Sequence, residues 1–196
     1  MGTYLVVGGS RGVGREITVA LRERGDVVFT AQRNAPPDEE ERWIKADLAQ
    51  ESDTARLVRE FLLLPQPVEG MLSPRLDGVV MAAVNDLPDA SDDYFAFSCR
   101  EAFTVNVISP LLIVRFAKMS NVLKPGARVI LVDREQGLTE TNHQYTLSKA
   151  AIPEVAHILE ATYPDVRAHH LTYSSPSHEG QFVRRVLSDL SEVPNV

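Results

Sequence analysis

The stretch Val6-Val7-Gly8-Gly9-Ser10-Arg11-Gly12-Val13-Gly14 constrains this chain more than any other. An apolar run from Thr3 to Val7 precedes it and reads as a buried strand. Val13, Ile17, Ala20 and Leu21 follow at helical spacing. A strand, a glycine turn and a helix start are the parts of a phosphate-binding βα unit. Gly8 turns the chain sharply, Gly12 lets backbone approach a pyrophosphate, and Gly14 lets the helix pack close to the strand. The helix N-terminus then offers free N–H groups and the positive end of its dipole. Gly8, Ser10, Arg11, Gly12, Val13 and Gly14 are the candidate contacts. The spacing is Gly-x-x-x-Gly-x-Gly, which differs from the Gly-x-Gly-x-x-Gly dinucleotide fingerprint.

Apolar runs alternate with helical patterns along the rest of the chain. That alternation implies an α/β fold: a doubly wound, three-layer sandwich with a mostly parallel sheet of about six strands. Strands are expected near 3–8, 26–31, 42–45, 77–83, 127–132 and 166–172, and helices near 13–24, 51–63, 93–121, 143–162 and 178–190. Pro125-Gly126 reads as the stop of the fourth helix, and Pro65-Gln66-Pro67 with Ser73-Pro74 as a loop before the fourth strand. At 196 residues the whole chain is expected to form one domain. A net charge of −7 argues against nucleic acid or an anionic membrane as partner. A strand starting at Thr3 leaves no room for a signal peptide, and no apolar run reads as long enough to span a bilayer. The single cysteine, Cys99, has no internal partner, so a cytoplasmic location is expected. His143, His157, His169, His170 and His178 lack metal-site spacing, and no metal is expected.

Three further stretches carry chemistry. The second strand ends in Gln32-Arg33, where an NAD-binding unit wants an acid for the ribose hydroxyls. Arg33 and Arg11 suit a 2′-phosphate instead, because a guanidinium clamps phosphate well. Asp47-Leu48 follows the third strand; Asp47 either accepts from an adenine amino group or caps a turn. Ala82 and Ala83 end the fourth strand in small side chains, which leave room for a ligand. Tyr145-Thr146-Leu147-Ser148-Lys149 puts a phenol and an ammonium on one helix face. A lysine beside a tyrosine favours the phenolate, so such a phenol can exchange a proton with a substrate oxygen near neutral pH.

Taken together, these residues resemble the short-chain dehydrogenase/reductase family over roughly residues 3–172. Gly8, Gly12 and Gly14 match its cofactor turn, Arg11 and Arg33 look like its NADPH-preferring members, and Asp47-Leu48 matches its adenine-side pair. Asn106 matches its relay asparagine, and Tyr145 and Lys149 its catalytic pair. The resemblance implies NADP(H) as cofactor and a small carbonyl or alcohol as substrate. It makes Tyr145 the general acid/base. Lys149 binds the nicotinamide ribose and tunes Tyr145, and Asn106 holds a water. It also implies a homo-oligomer, a dimer or tetramer, with Val105, Ile108, Leu111, Leu112 and Phe116 as a candidate buried face.

The chain departs from that pattern in four places. Met81-Ala82-Ala83-Val84 stands for the family's Asn-Asn-Ala-Gly. The substrate-binding serine should fall in Val132-Asp133-Arg134, where there is none. Pro153 sits inside the helix expected near 143–162. Tyr173-Ser174 replaces a Pro-Gly, and the chain ends early, so the cleft is expected to be open or completed by a partner chain. Without the serine, reductase activity is expected to be weak, and serine installed at Asp133 or Arg134 to raise it; Thr139, Thr141 and Ser148 are other hydroxyls nearby. Two other functions fit the same residues: a nucleotide-binding protein that acts through interaction, and a lyase or isomerase using the Tyr/Lys pair.

Overall fold

Most strands of this chain carry apolar residues on both faces, and the structure buries both. The computed structural model describes residues 1–35, 42–63, 75–83, 95–134, 143–173 and 179–191. Six strands, β1 (Thr3–Val7), β2 (Val27–Gln32), β3 (Trp43–Lys45), β4 (Leu76–Met81), β5 (Leu123–Arg134) and β6 (Val166–Tyr173), form one sheet in the order β3-β2-β1-β4-β5-β6. Every adjacent pair is parallel. Tyr4 and Val6 of β1 face a layer made with Ile17, Leu21, Phe182 and Val186, which belong to α1 (Gly12–Glu23) and α7 (Glu179–Ser191). Leu5 and Val7 face the opposite layer, built on α2 (Glu51–Leu63), α4 (Ser109–Met119) and α6 (Ile152–Thr162). There Phe29 and Phe61 meet edge to face, 4.9 Å between ring centres.

The order reverses between β1 and β4, so the crevice beyond their carboxyl ends is the place where such a sheet holds a ligand. The backbone draws these ends together. Gly8 N donates to the Ala31 carbonyl at 2.7 Å, and Ala82 N to the Val7 carbonyl at 2.8 Å.

Three details differ from the sequence expectation. The fourth helix is not uniform: α3 (Phe95–Phe103) passes through a π-helical turn, Thr104–Ile108, into α4. The whole run Phe95–Met119 is 25 residues, and an 18-residue window within it has mean hydropathy 1.4, long and apolar enough by length and composition to cross a membrane. Arg100, Glu101 and Asn106 interrupt it, so no continuous apolar stretch marks it in the sequence; half of that window is buried inside the fold. The helix expected near 143–162 is two: α5 (His143–Ala150) ends at Ala151, and α6 restarts with Pro153 in its first turn. That is the position where a missing N–H costs least. Finally, Pro125-Gly126 stops no helix; α4 has already ended, and the pair lies inside β5. Around it β5 carries extra residues, for Leu76 pairs with Leu123 but Gly78 with Arg128.

Candidate active site

At the carboxyl edge of the sheet a cleft of about 390 Å³ opens between the turn after β1 and the start of α5. One end is glycine backbone. Gly8 has φ +89°, and a Cβ there would lie 2.5 Å from the Ala83 nitrogen. Any side chain would push β1 and β4 apart. A Cβ on Gly14 would run into the carbonyl oxygen of Gly8, and would lie 3.1 Å from the Ala82 Cβ. Glycine at these two positions is what lets α1 start directly against the strand ends. Gly12 differs: a Cβ there would meet nothing within 4 Å, and it lines the cleft. Arg11, the N-cap of α1, makes no side-chain capping bond, so no side chain of its own satisfies the first-turn N–H groups.

Ser10, Val13, Arg33, Asp47, Leu48, Ala82 and Ala83 line the same cleft, as do Gly8, Arg11, Gly12 and Gly14. These candidate contacts, with Tyr145, share one space, whereas Lys149, the remaining candidate, is buried behind it and is not among the residues lining the cleft. Arg11 and Arg33 are exposed along it. The Asp47 carboxylate accepts the Ala49 N–H at 3.1 Å, which makes it a turn cap; it lines the cleft as well. Val84, Thr139, Thr141, Ser174 and His178 lie outside the described residues, as do Pro65-Gln66-Pro67 and Ser73-Pro74.

One cleft residue escaped sequence reasoning. Gln32 is 6 % exposed, and neither its amide nitrogen nor its amide oxygen has a hydrogen-bond partner among the described residues. A buried amide left unpaired costs about 1–3 kcal/mol. The open cradle at Gly12, the uncapped helix end and this unpartnered amide fit a phosphate-bearing nucleotide.

The other end of the cleft is chemical. Tyr145 is 2 % exposed overall yet lines the cleft. Lys149 lies one turn on, its Nζ 5.4 Å from the centre of the Tyr145 ring. Asn106, on the π-helical turn, donates from Nδ2 to Ser148 Oγ at 2.8 Å, and that hydroxyl donates to the Tyr145 carbonyl at 2.8 Å. Ser148 thus ties α5 to the π turn. The helical periodicity of the sequence carries no sign of that turn, because five residues of π-helix keep the same side-chain types as α-helix.

Asp133 and Arg134 occupy the end of β5 where the resemblance expected a serine, and both line the cleft. Asp133 Oδ1 is 3.1 Å from Lys149 Nζ and accepts the Arg134 N–H at 2.7 Å. Its Oδ2 is 3.4 Å from Nε2 of His170, a strand away on β6. Burial pushes the Asp133 carboxyl up, but the His170 hydrogen bond, the Lys149 ammonium and the Arg134 N–H together hold it below the usual carboxylate range. An ionised carboxylate only accepts, so His170 Nε2 carries the proton between them. Among the described residues no group of three His, Cys, Asp or Glu is placed to hold a metal.

No family model matches the chain. It is 30% identical over 172 residues to the rhamnolipids biosynthesis 3-oxoacyl-[acyl-carrier-protein] reductase of Pseudomonas aeruginosa, covering 79% of this chain. The chain spans 64% of that relative's length. Among solved structures, a short-chain dehydrogenase/reductase family oxidoreductase from Brucella ovis, in complex with a partially ordered NAD, superposes with TM-score 0.81. It is 18% identical, with 97% of this chain and 93% of the other covered. A short chain dehydrogenase family protein from Francisella tularensis gives 0.79 at 19% identity, covering 98% and 92%.

Proposed function

We propose that this chain is a short-chain dehydrogenase/reductase, an oxidoreductase that interconverts a small carbonyl compound and its alcohol, with NADP(H) as cofactor and Tyr145 as proton donor and acceptor. The observation that carries the reading is one cleft with a glycine cradle at one end and the buried Tyr145–Lys149 pair at the other. The nicotinamide, when bound, supplies or takes the hydride. Everything else falls to the chain. Gly12, Val13 and Gly14 present backbone to the pyrophosphate from the α1 N-terminus. Tyr145 passes its phenolic proton to the substrate oxygen in reduction and takes it back in oxidation. The Lys149 ammonium favours the phenolate by its charge. Asn106 ties the π turn to α5 through Ser148, whose hydroxyl in turn holds the Tyr145 carbonyl, so the segment that carries the phenol is fixed from a second element. A panel of small carbonyls with purified protein, followed by NADPH absorbance, tests the reading; turnover supports it.

NADPH is proposed over NADH because no acid stands at the end of β2, while Arg33 and Arg11 are exposed along the cleft. Charge-assisted contacts to phosphate are worth about 1.5–3 kcal/mol each. Arg33→Ala is therefore expected to weaken NADPH binding by about tenfold or more and to leave NADH binding nearly unchanged in fluorescence titrations. Equal losses for both would remove the 2′-phosphate assignment.

A second reading is favoured by Asp133, which puts an acceptor where a polarising hydroxyl is expected: a protein that binds the dinucleotide and acts through interaction. Binding without turnover across the carbonyl panel would favour it. Either reading is compatible with a homo-oligomer. Of the apolar face expected from the sequence, Val105 is buried, and Leu111 and Phe116 pack on the core. Ile108 of the π turn and Leu147 of α5 remain exposed and are the proposed contacts. Light scattering at micromolar concentration should show more than a monomer; a monomer there would end that proposal.

A further inference from the structure

Lys149 is 7 % exposed, and a buried ammonium is stable only with acceptors and a counter-charge. The sheet provides both. The Val132 carbonyl accepts from Nζ at 3.3 Å, and Asp133 Oδ1 lies 3.1 Å away. Asp133 is itself held fast by the Arg134 N–H at 2.7 Å and by His170 at 3.4 Å. The parallel register sets Asp133 beside Thr172, and Thr172 Oγ1 is 3.3 Å from the same His170 nitrogen. Both Asp133 oxygens are thus engaged by the protein, which argues against the carboxylate serving as a substrate contact.

We propose that Asp133 is the positioning residue of Lys149: the end of β5, braced from β6 by His170, grips the lysine of α5 and keeps it charged and beside Tyr145. The group that displaces the expected serine then acts through the lysine rather than on the substrate. This inference rests on the role given to the Tyr145–Lys149 pair above. Among the described residues, Tyr145 on its own helix lies beside the lysine, and Arg134 on β5, Tyr173 on β6 and Glu101 on α3 are further ionisable groups that line the cleft.

The chain has four lysines, Lys45, Lys118, Lys124 and Lys149, so each can be followed by NMR in the full chain labelled with ¹³C at lysine Cε. Lys149→Arg assigns the signal. In Asp133→Asn the titration midpoint of Lys149 should fall by about 1–3 units from wild type, the size of an opposite charge removed at this range. Lys118 and Lys124, paired with Asp165 and Asp77, should not move. Asp133→Ser, a second variant should the first not fold, should show the same fall, and Asp133→Glu, which keeps the charge, should recover most of it. An unmoved Lys149 midpoint in Asp133→Asn or Asp133→Ser would overturn the proposal, as would a fall in Asp133→Glu as large as in Asp133→Asn. With an active carbonyl, the alkaline limb of kcat in Asp133→Asn should shift down with the lysine. Absence of wild-type turnover would count against the oxidoreductase reading alone, since the NMR arm measures the lysine directly.

Discussion

Tyr145→Phe should lower turnover of the best carbonyl in the panel by about 10²–10⁴-fold, the usual contribution of a positioned general acid. The substitution removes one oxygen and little else. The ring is 2 % exposed, so phenylalanine fills the same volume and the fold is retained. The Ser148 bond to residue 145 uses its backbone carbonyl and survives the change. The lysine stays anchored from the sheet through Asp133 and Val132. Dinucleotide binding should therefore change far less than turnover, and the two together identify a proton-transfer defect. Turnover equal to wild type would show that another group handles the proton.

Gly14→Ala should damage both stability and cofactor affinity. Residue 14 is buried in the first turn of α1, and the added methyl would collide with the Gly8 carbonyl and press on Ala82. Neither obstacle is a flexible side chain; one is backbone in the turn and the other ends β4. Overpacking of this kind costs about 1–3 kcal/mol, and relief requires α1 to back away from the sheet. For a chain of this size that corresponds to a fall in Tm of about 2–12 °C. Withdrawing the helix also carries its first-turn N–H groups away from the phosphates, so NADPH affinity should fall by about tenfold or more. Calorimetry and fluorescence titration read the two effects separately. A variant with wild-type Tm and wild-type affinity would contradict the close approach on which the site is built.

The serine variants illustrate how a local inference changes once neighbours are known. From the sequence alone, serine at Asp133 or Arg134 looks equivalent, since each restores a hydroxyl near the phenol. In the fold they differ. Asp133 holds the lysine, whereas Arg134 is exposed at the strand end and only its backbone N–H takes part in that network. Asp133→Ser therefore gives up an anchor to gain a donor, and Arg134 is the better place to install the hydroxyl.

What the sequence determined by itself was periodic or forced by backbone chemistry. The apolar runs at 3–7, 27–32 and 76–81 are buried almost throughout, as inner strands of a parallel sheet covered on both faces are, whereas β6 at the sheet edge carries exposed Arg167 and Thr172. Gly8 and Gly14 announced a tight βα turn because no other residue fits one. Tyr145 and Lys149 shared a face by helix geometry alone. Tertiary structure decided what depends on residues distant in the chain. Asp133 meets His170 only because β5 and β6 pair in one particular register, a fact written in neither strand. Gln32, paired with Lys45 across β2 and β3, is a buried amide with no hydrogen-bond partner among the described residues, which only the assembled sheet reveals. The π turn between α3 and α4, from which Asn106 donates to Ser148 of α5, joins residues 42 apart in the chain, a contact no local pattern records.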